Sequence, residues 1–218
     1  MDIILALTKE LNVEKWQVEA AVKLIDEGNT IPFISRYRKE ATGALNDEVL
    51  RNLNDRLTYL RNLEEKKTQV LSSIEEQGKL TEELKKQILE AQTLVVVEDL
   101  YRPYRPKRRT RATIAKEKGL EPLANIILLQ MTDKSLEEEA KAFVSEEKEV
   151  TTVEDAISGA KDIVAESISD KADYRSEIRE RTFRKGMLVS TAKKPEETSV
   201  YEKYYEYEER VEKMPGHR

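Results

Sequence analysis

Apolar residues recur along most of this chain at intervals of three and four, the spacing of one face of an α-helix. Residues 2–28 read as two helices meeting at the corner Leu11-Asn12-Val13. The first carries Ile3, Ile4 and Leu7. The second carries Val18, Ala21, Val22 and Ile25 and stops at Gly28, which suits a left-handed cap. The pair fits an ordinary αα corner or half of a helix-turn-helix. In "NTIPFISRYRKEATG", Pro32 fits the first turn of a short helix. Phe33, Ile34 and Tyr37 supply its apolar side, Arg36, Arg38 and Lys39 its basic side, and Gly43 its end.

A long helix is predicted next, over 47–77. Asn46 is a good N-cap, and Asp47 and Glu48 follow at the positive end of the helix dipole. Leu50, Leu53, Leu57 and Leu60 mark one face, and Val70, Leu71 and Ile74 resume it after the charged "EEKK". Thr81 caps a shorter helix with Leu84, Ile88 and Ala91 inward. "TLVVVEDLY" has the valines of a strand, but its helical neighbours and the lack of a nearby partner strand favour a buried helix. Pro103 and Pro106 disfavour helix at the residues before them, so "RPYRPK" is expected to be extended. Pro122 opens "PLANIILLQM", apolar nearly all round and the candidate for a central buried helix. Ser135 with Glu138, and Thr151 with Glu154, read as capping boxes. A last helix is expected over 171–185, then "MLVS" as a short strand or extended exit, then a linker over 191–218. The fold class is all-α, a multi-helix bundle.

Composition agrees with that pattern. Of 218 residues, 37% are charged and 39% hydrophobic, typical of helices with solvated faces. Seven glycines and six prolines leave few turns, which disfavours a β-sandwich. Cysteine is absent, excluding disulfides, thiolate metal sites and thiol catalysis. No apolar run approaches a membrane span and no signal peptide opens the chain, so a cytoplasmic location without membrane contact is expected. The only histidine is His217, and no phosphate-binding or dinucleotide loop is present. The many carboxylates fit solvated helix faces, with a paired-carboxylate site as the alternative. The chain is expected not to be an enzyme, with no cofactor, metal or catalytic residue assigned.

The charge is unevenly placed. Residues 101–119, "YRPYRPKRRTRATIAKEKG", hold eight cations against Glu117, +7 in a chain whose total is −5, so the rest sums to −12. Arg and Lys at that density could hold several phosphates. Tyr101 and Tyr104 alternate with Arg102 and Arg105 and could stack on unpaired bases. Alternatively the segment is a strap packed on the chain's own carboxylates, with arginines holding them bidentately.

"TIPFISRYRKEATGALNDE" and "EDLYRPYRPKRRTRATIAKEKGLEPLA" resemble the N-terminal region of the Tex family of bacterial transcription accessory proteins. The similarity extends through "RLTYLRNLEEKKTQVLSSIEEQGKLTEEL" to "YEKYYEYEERVEKMPGHR", essentially the whole chain. "LVVVEDLY" departs from the family by being more β-branched. The resemblance implies an N-terminal fragment of a multidomain protein whose further parts are an RNase-H-like domain, helix-hairpin-helix elements and an S1 RNA-binding domain. It also implies a helix-turn-helix-like subdomain at 69–123, inserted between bundle parts at 1–68 and 124–190. Low-specificity binding to RNA or DNA through the backbone, and a role in transcription, follow as expectations. The candidate contacts are Lys107, Arg108, Arg109, Arg111, Arg102, Arg105, Arg36, Arg38 and Lys39. Of these, Arg102 and Arg105 are expected to be partly structural, and Lys107, Arg108, Arg109 and Arg111 to form an exposed patch. The alternative is a scaffold contacting RNA polymerase or the further domains, with no nucleic-acid contact.

Overall fold

The leucine stripe that dominates the first half of the sequence lies on a single helix. The computed structural model describes residues 2–106 and 108–218 and divides into two compact units, Met1–Tyr101 and Arg102–Arg218. The described residues are predominantly helical, with one two-stranded sheet. No helix among them is long and apolar enough to cross a membrane.

In the first unit, α1 (Ile3–Leu11) is capped by Asp2, whose carboxylate accepts from the Leu5 amide at 3.0 Å. Asn12, at φ 52°, turns the chain out of it, and α2 (Lys15–Asp26) follows, closed by Gly28 at φ 85°. The corner is where the sequence places it. After α3 (Ile31–Tyr37) comes α4 (Asp47–Glu76), capped by Asn46, whose side chain accepts from the Val49 amide at 2.8 Å. The expected limits of the long helix hold to one residue. Leu50, Leu53, Leu57, Leu60, Leu63, Val70 and Ile74 are all buried along it. Helices α1, α2 and α3 pack against α4, as do α5 (Glu82–Glu90) and α6 (Leu94–Tyr101).

Two bidentate pairs fix the packing of the first helices. Arg56 donates to both Glu10 oxygens at 2.6 and 2.8 Å, and Arg61 to both Asp26 oxygens at 2.7 and 2.8 Å. These guanidinium hydrogen bonds, rather than burial, hold the Glu10 and Asp26 carboxyls below their ordinary pKa. "EEKK" is no interruption of the stripe. Lys67 is 2% exposed, and its ammonium donates to Glu64 and to the Leu89 carbonyl, both at 2.9 Å. It thereby satisfies a carbonyl in the last turn of α5. "LVVVEDLY" is helical as expected. The Tyr59 hydroxyl accepts from the Leu94 amide at 3.2 Å and so caps α6 from a neighbouring helix.

In the second unit the core gathers on α10 (Val153–Ser169), against α7 (Arg111–Glu117), α8 (Glu121–Leu129) and α9 (Leu136–Ala140). Small residues set the approach. Ala112, Ala115, Ala156 and Ala160 are all buried in this core, and a Cβ on Gly159 would meet the Leu120 side chain at 2.4 Å and the Ala115 methyl at 3.3 Å. Helix α11 (Ala172–Lys185) leads into β1 (Met187–Thr191).

Several expectations are corrected here. Residues 102–105 form a turn rather than an extended strap. Proline fixes a φ that suits a turn as well as a strand. Helix α7 was not anticipated; Thr110 caps it by accepting from the Thr113 amide at 3.1 Å. Helix α8 is half-buried, with Leu128 and Leu129 exposed, because only the side with Leu123 and Ala124 meets the core. The second capping box is Thr152 with Asp155, one residue later than expected. Residues 191–218 are more than a linker: β2 (Glu206–Arg210) pairs antiparallel with β1, from Met187 opposite Arg210 to Thr191 opposite Glu206.

Candidate nucleic-acid interface

The candidate cations fall in both units, and their surroundings differ. In the second unit most are met by acids. Arg102 donates to Asp170 at 3.0 Å. Arg109 places two nitrogens on one Glu117 oxygen at 3.2 and 2.7 Å. Arg111 lies 3.7 Å from Asp162, and Lys116 lies 3.8 Å from Glu121. Lys118 donates to the Glu149 carbonyl at 2.9 Å. Arg105 and Tyr104 are also engaged within the chain. Arg108 is exposed and no described residue pairs with it. Lys107 lies outside the described residues.

These pairs are surface pairs. Arg109 and Arg111 keep 68% and 87% of their side chains exposed. Each such pair contributes about 0–1 kcal/mol in water, so a phosphate could displace its carboxylate at small cost. Arg102 is tied more firmly, because its partner Asp170 is only 14% exposed. Tyr101 is not an open platform. Its hydroxyl shares a hydrogen bond with Ser73 at 3.0 Å, and the Lys66 ammonium sits 5.8 Å from its ring centroid.

In the first unit the "SRYRK" corner is different. Helix α3 stops at Tyr37, six residues before Gly43, so Arg38 and Lys39 lie in the loop beyond it. Arg36, Arg38 and Lys39 are all exposed, and among the described residues no carboxylate is paired with any of them. Arg38 stacks on Phe33, 5.1 Å from the ring centroid, and donates to the Tyr37 carbonyl at 3.3 Å. Tyr37 is 66% exposed rather than part of the buried apolar side. Ile34 alone is fully buried there, anchoring α3 beneath.

The loop that presents these cations is held by contacts the sequence did not announce. Thr42 is fully buried and its hydroxyl donates to the Arg38 carbonyl at 3.2 Å. The Gln17 amide, on α2, donates to the Thr42 and Gly43 carbonyls at 3.3 and 3.1 Å. Gly43 stands at φ 61°, and a Cβ there would lie 2.5 Å from the Trp16 ring. The backbone under Arg38 and Lys39 is therefore pinned at both ends, which lowers the entropy lost when a ligand is bound. Gly43 in "EATG" was the one visible signal. It reads as a helix terminator until Trp16 is seen lying against it.

Residues 1–75 match the family model described as the Tex-like protein N-terminal domain, and residues 132–218 match that described as Tex central region-like. The chain belongs to the Tex family. It is 47% identical to YdcI of Bacillus subtilis over 215 residues, covering 97% of this chain and 30% of that protein. It is 41% identical to the transcriptional accessory protein Tex of Neisseria gonorrhoeae over 220 residues, covering 100% of this chain and 29% of that protein. A more distant relative is S1 RNA-binding domain-containing protein 1 of Homo sapiens, 30% identical over 192 residues, covering 88% of this chain and 19% of that protein. The chain thus spans less than a third of the length of these Tex-family relatives.

Proposed function

We propose that this Tex-family chain is a nucleic-acid-binding module of low sequence specificity, acting in transcription in the cytoplasm by binding rather than catalysis. The observation that carries this is the corner at residues 36–39: three exposed cations with no acidic partner among the described residues, on a loop pinned by Gln17 and Thr42. Arg108, Arg109 and Arg111 add a second set of cations in the other unit, two of them held by exchangeable surface pairs. Such groups meet phosphates and carry no base-reading geometry, so affinity follows charge more than sequence.

A second reading is favoured by the ion pairs of residues 102–118. If those cations serve their own carboxylates, the chain is a scaffold that contacts RNA polymerase or other protein partners. A salt series decides between the two. Binding of the chain to single- and double-stranded RNA and DNA is measured by anisotropy across ionic strength. Phosphate contact predicts that log affinity falls linearly with log salt, by about 0.7 per phosphate on single strands. Arg36→Glu with Lys39→Glu, and separately Arg108→Glu with Arg109→Glu, should each flatten that slope. No binding at low salt, or a slope untouched by both double variants, leaves the scaffold reading.

A further inference from the structure

The corner offers more than charge. Tyr37 stands between Arg36 and Arg38 and is 66% exposed. Its ring is backed by Phe33, with centroids 5.3 Å apart and planes tilted by 44°. Phe33 is held in turn by the Arg38 guanidinium, 5.1 Å from its ring centroid. Among the described residues the Tyr37 hydroxyl has no partner, whereas Tyr101 is fastened to Ser73. An exposed aromatic usually gives up area to water for nothing; here it is propped by a second ring and flanked by cations that no described carboxylate pairs with. The backbone beneath is fixed by Thr42 and Gln17, so the platform and the cations keep their relative places.

Stacking platforms interleaved with cations suit unpaired bases. In a duplex the base faces are already covered by their neighbours, and only phosphates and groove edges remain. We propose that the Arg36–Lys39 corner is a single-strand site, in which one unpaired base stacks on Tyr37 while Arg36 and Lys39 hold the adjoining phosphates. RNA and DNA share the base face and the phosphate. The free Tyr37 hydroxyl is the group placed to distinguish them, through the ribose 2′-hydroxyl. This inference rests on the nucleic-acid-binding reading and adds the strandedness of the ligand and the residue that senses it.

The test compares a single strand with an abasic strand of equal length and charge, at one ionic strength, with the full 218-residue chain. The wild type should prefer the strand with bases by roughly 5- to 150-fold, the range of a single stacked base. Tyr37→Ala should lose that preference while keeping the abasic affinity and the salt slope, and Tyr37→Trp should restore it. Tyr37→Phe should keep the preference for bases and remove any difference between RNA and DNA. Equal wild-type binding to the two strands overturns the single-strand site and leaves phosphate binding intact. Absence of binding to either strand at low salt overturns the nucleic-acid reading itself. A Tyr37→Ala protein with a changed circular dichroism spectrum would mean the ring is structural, and the proposal fails on that outcome too.

Discussion

Gly43 offers the sharpest test of how the basic corner is built. Its φ of 61° is open to glycine at little cost, whereas alanine there pays about 1–2 kcal/mol. The added methyl would also sit 2.5 Å from the Trp16 ring and 2.6 Å from the Gln17 amide nitrogen. Neither contact can stand, so both side chains must move. Trp16 is half exposed and can swing outward, but Gln17 then loses its bonds to the Thr42 and Gly43 carbonyls. At about 0.5–1.5 kcal/mol for each hydrogen bond, Gly43→Ala should cost roughly 2–5 kcal/mol in all. The chain's only tryptophan is the side chain displaced, so it reports directly. Urea unfolding followed by Trp16 emission should show the lost stability, and the native emission should shift before any unfolding. Gly43→Asn tolerates the left-handed backbone better but keeps the clash, and should fall between. If Gly43→Ala changes stability by less than about 0.5 kcal/mol with unaltered emission, the loop is not held by these contacts and its pinning is refuted.

Two further outcomes follow from the same unit. Lys67→Met keeps the stem but removes the donor to the buried-end Leu89 carbonyl, and should destabilise by about 1–3 kcal/mol in urea titration. Glu10 and Asp26 have folded pKa values held below their ordinary 4.5 and 3.8 by Arg56 and Arg61, so their contribution is complete above about pH 5 and is lost as pH falls through the depressed values. Thermal melts from pH 7 to 3 should show that decline, shallower in Glu10→Gln with Asp26→Asn; both pairs are near half exposed, so about 1 kcal/mol each is the ceiling.

The sequence announces whatever repeats locally. Asn46 and the leucines set α4, Thr81 sets α5, and Ser135 with Glu138 sets α9, because a cap and a stripe need no distant partner. What it hides depends on residues far away. Lys67 sits in "EEKK" like any surface lysine, and only the end of α5, 22 residues on, makes it a core residue. The prolines of "RPYRPK" forbid helix but do not choose between strand and turn. Glu206–Arg210 becomes a strand only because Met187–Thr191 lies beside it. At the interface the candidate cations were visible as charge, but not their division into paired and unpaired sets. Asp170 and Asp162 lie 68 and 51 positions from the arginines they meet, beyond any local pattern. Tyr37 was legible as an aromatic on the apolar side of α3, but of that side only Ile34 is buried, and Tyr37 at the helix end stays exposed.

Helix α4 runs unbroken for 30 residues, a rise of about 45 Å. Helices from both sides of the first unit's sequence lean on it, α1 to α3 before and α5 and α6 after. A single hydrogen-bonded ladder is thus the shared wall for both groups of helices, so melting it would uncover the apolar faces of both. Whatever steadies α3 on that wall also slows hydrogen exchange in α5 and α6, through shared cooperativity rather than through any moving part. The first unit should therefore register an occupant of its basic corner along its whole length, as protected amides far from the point of contact.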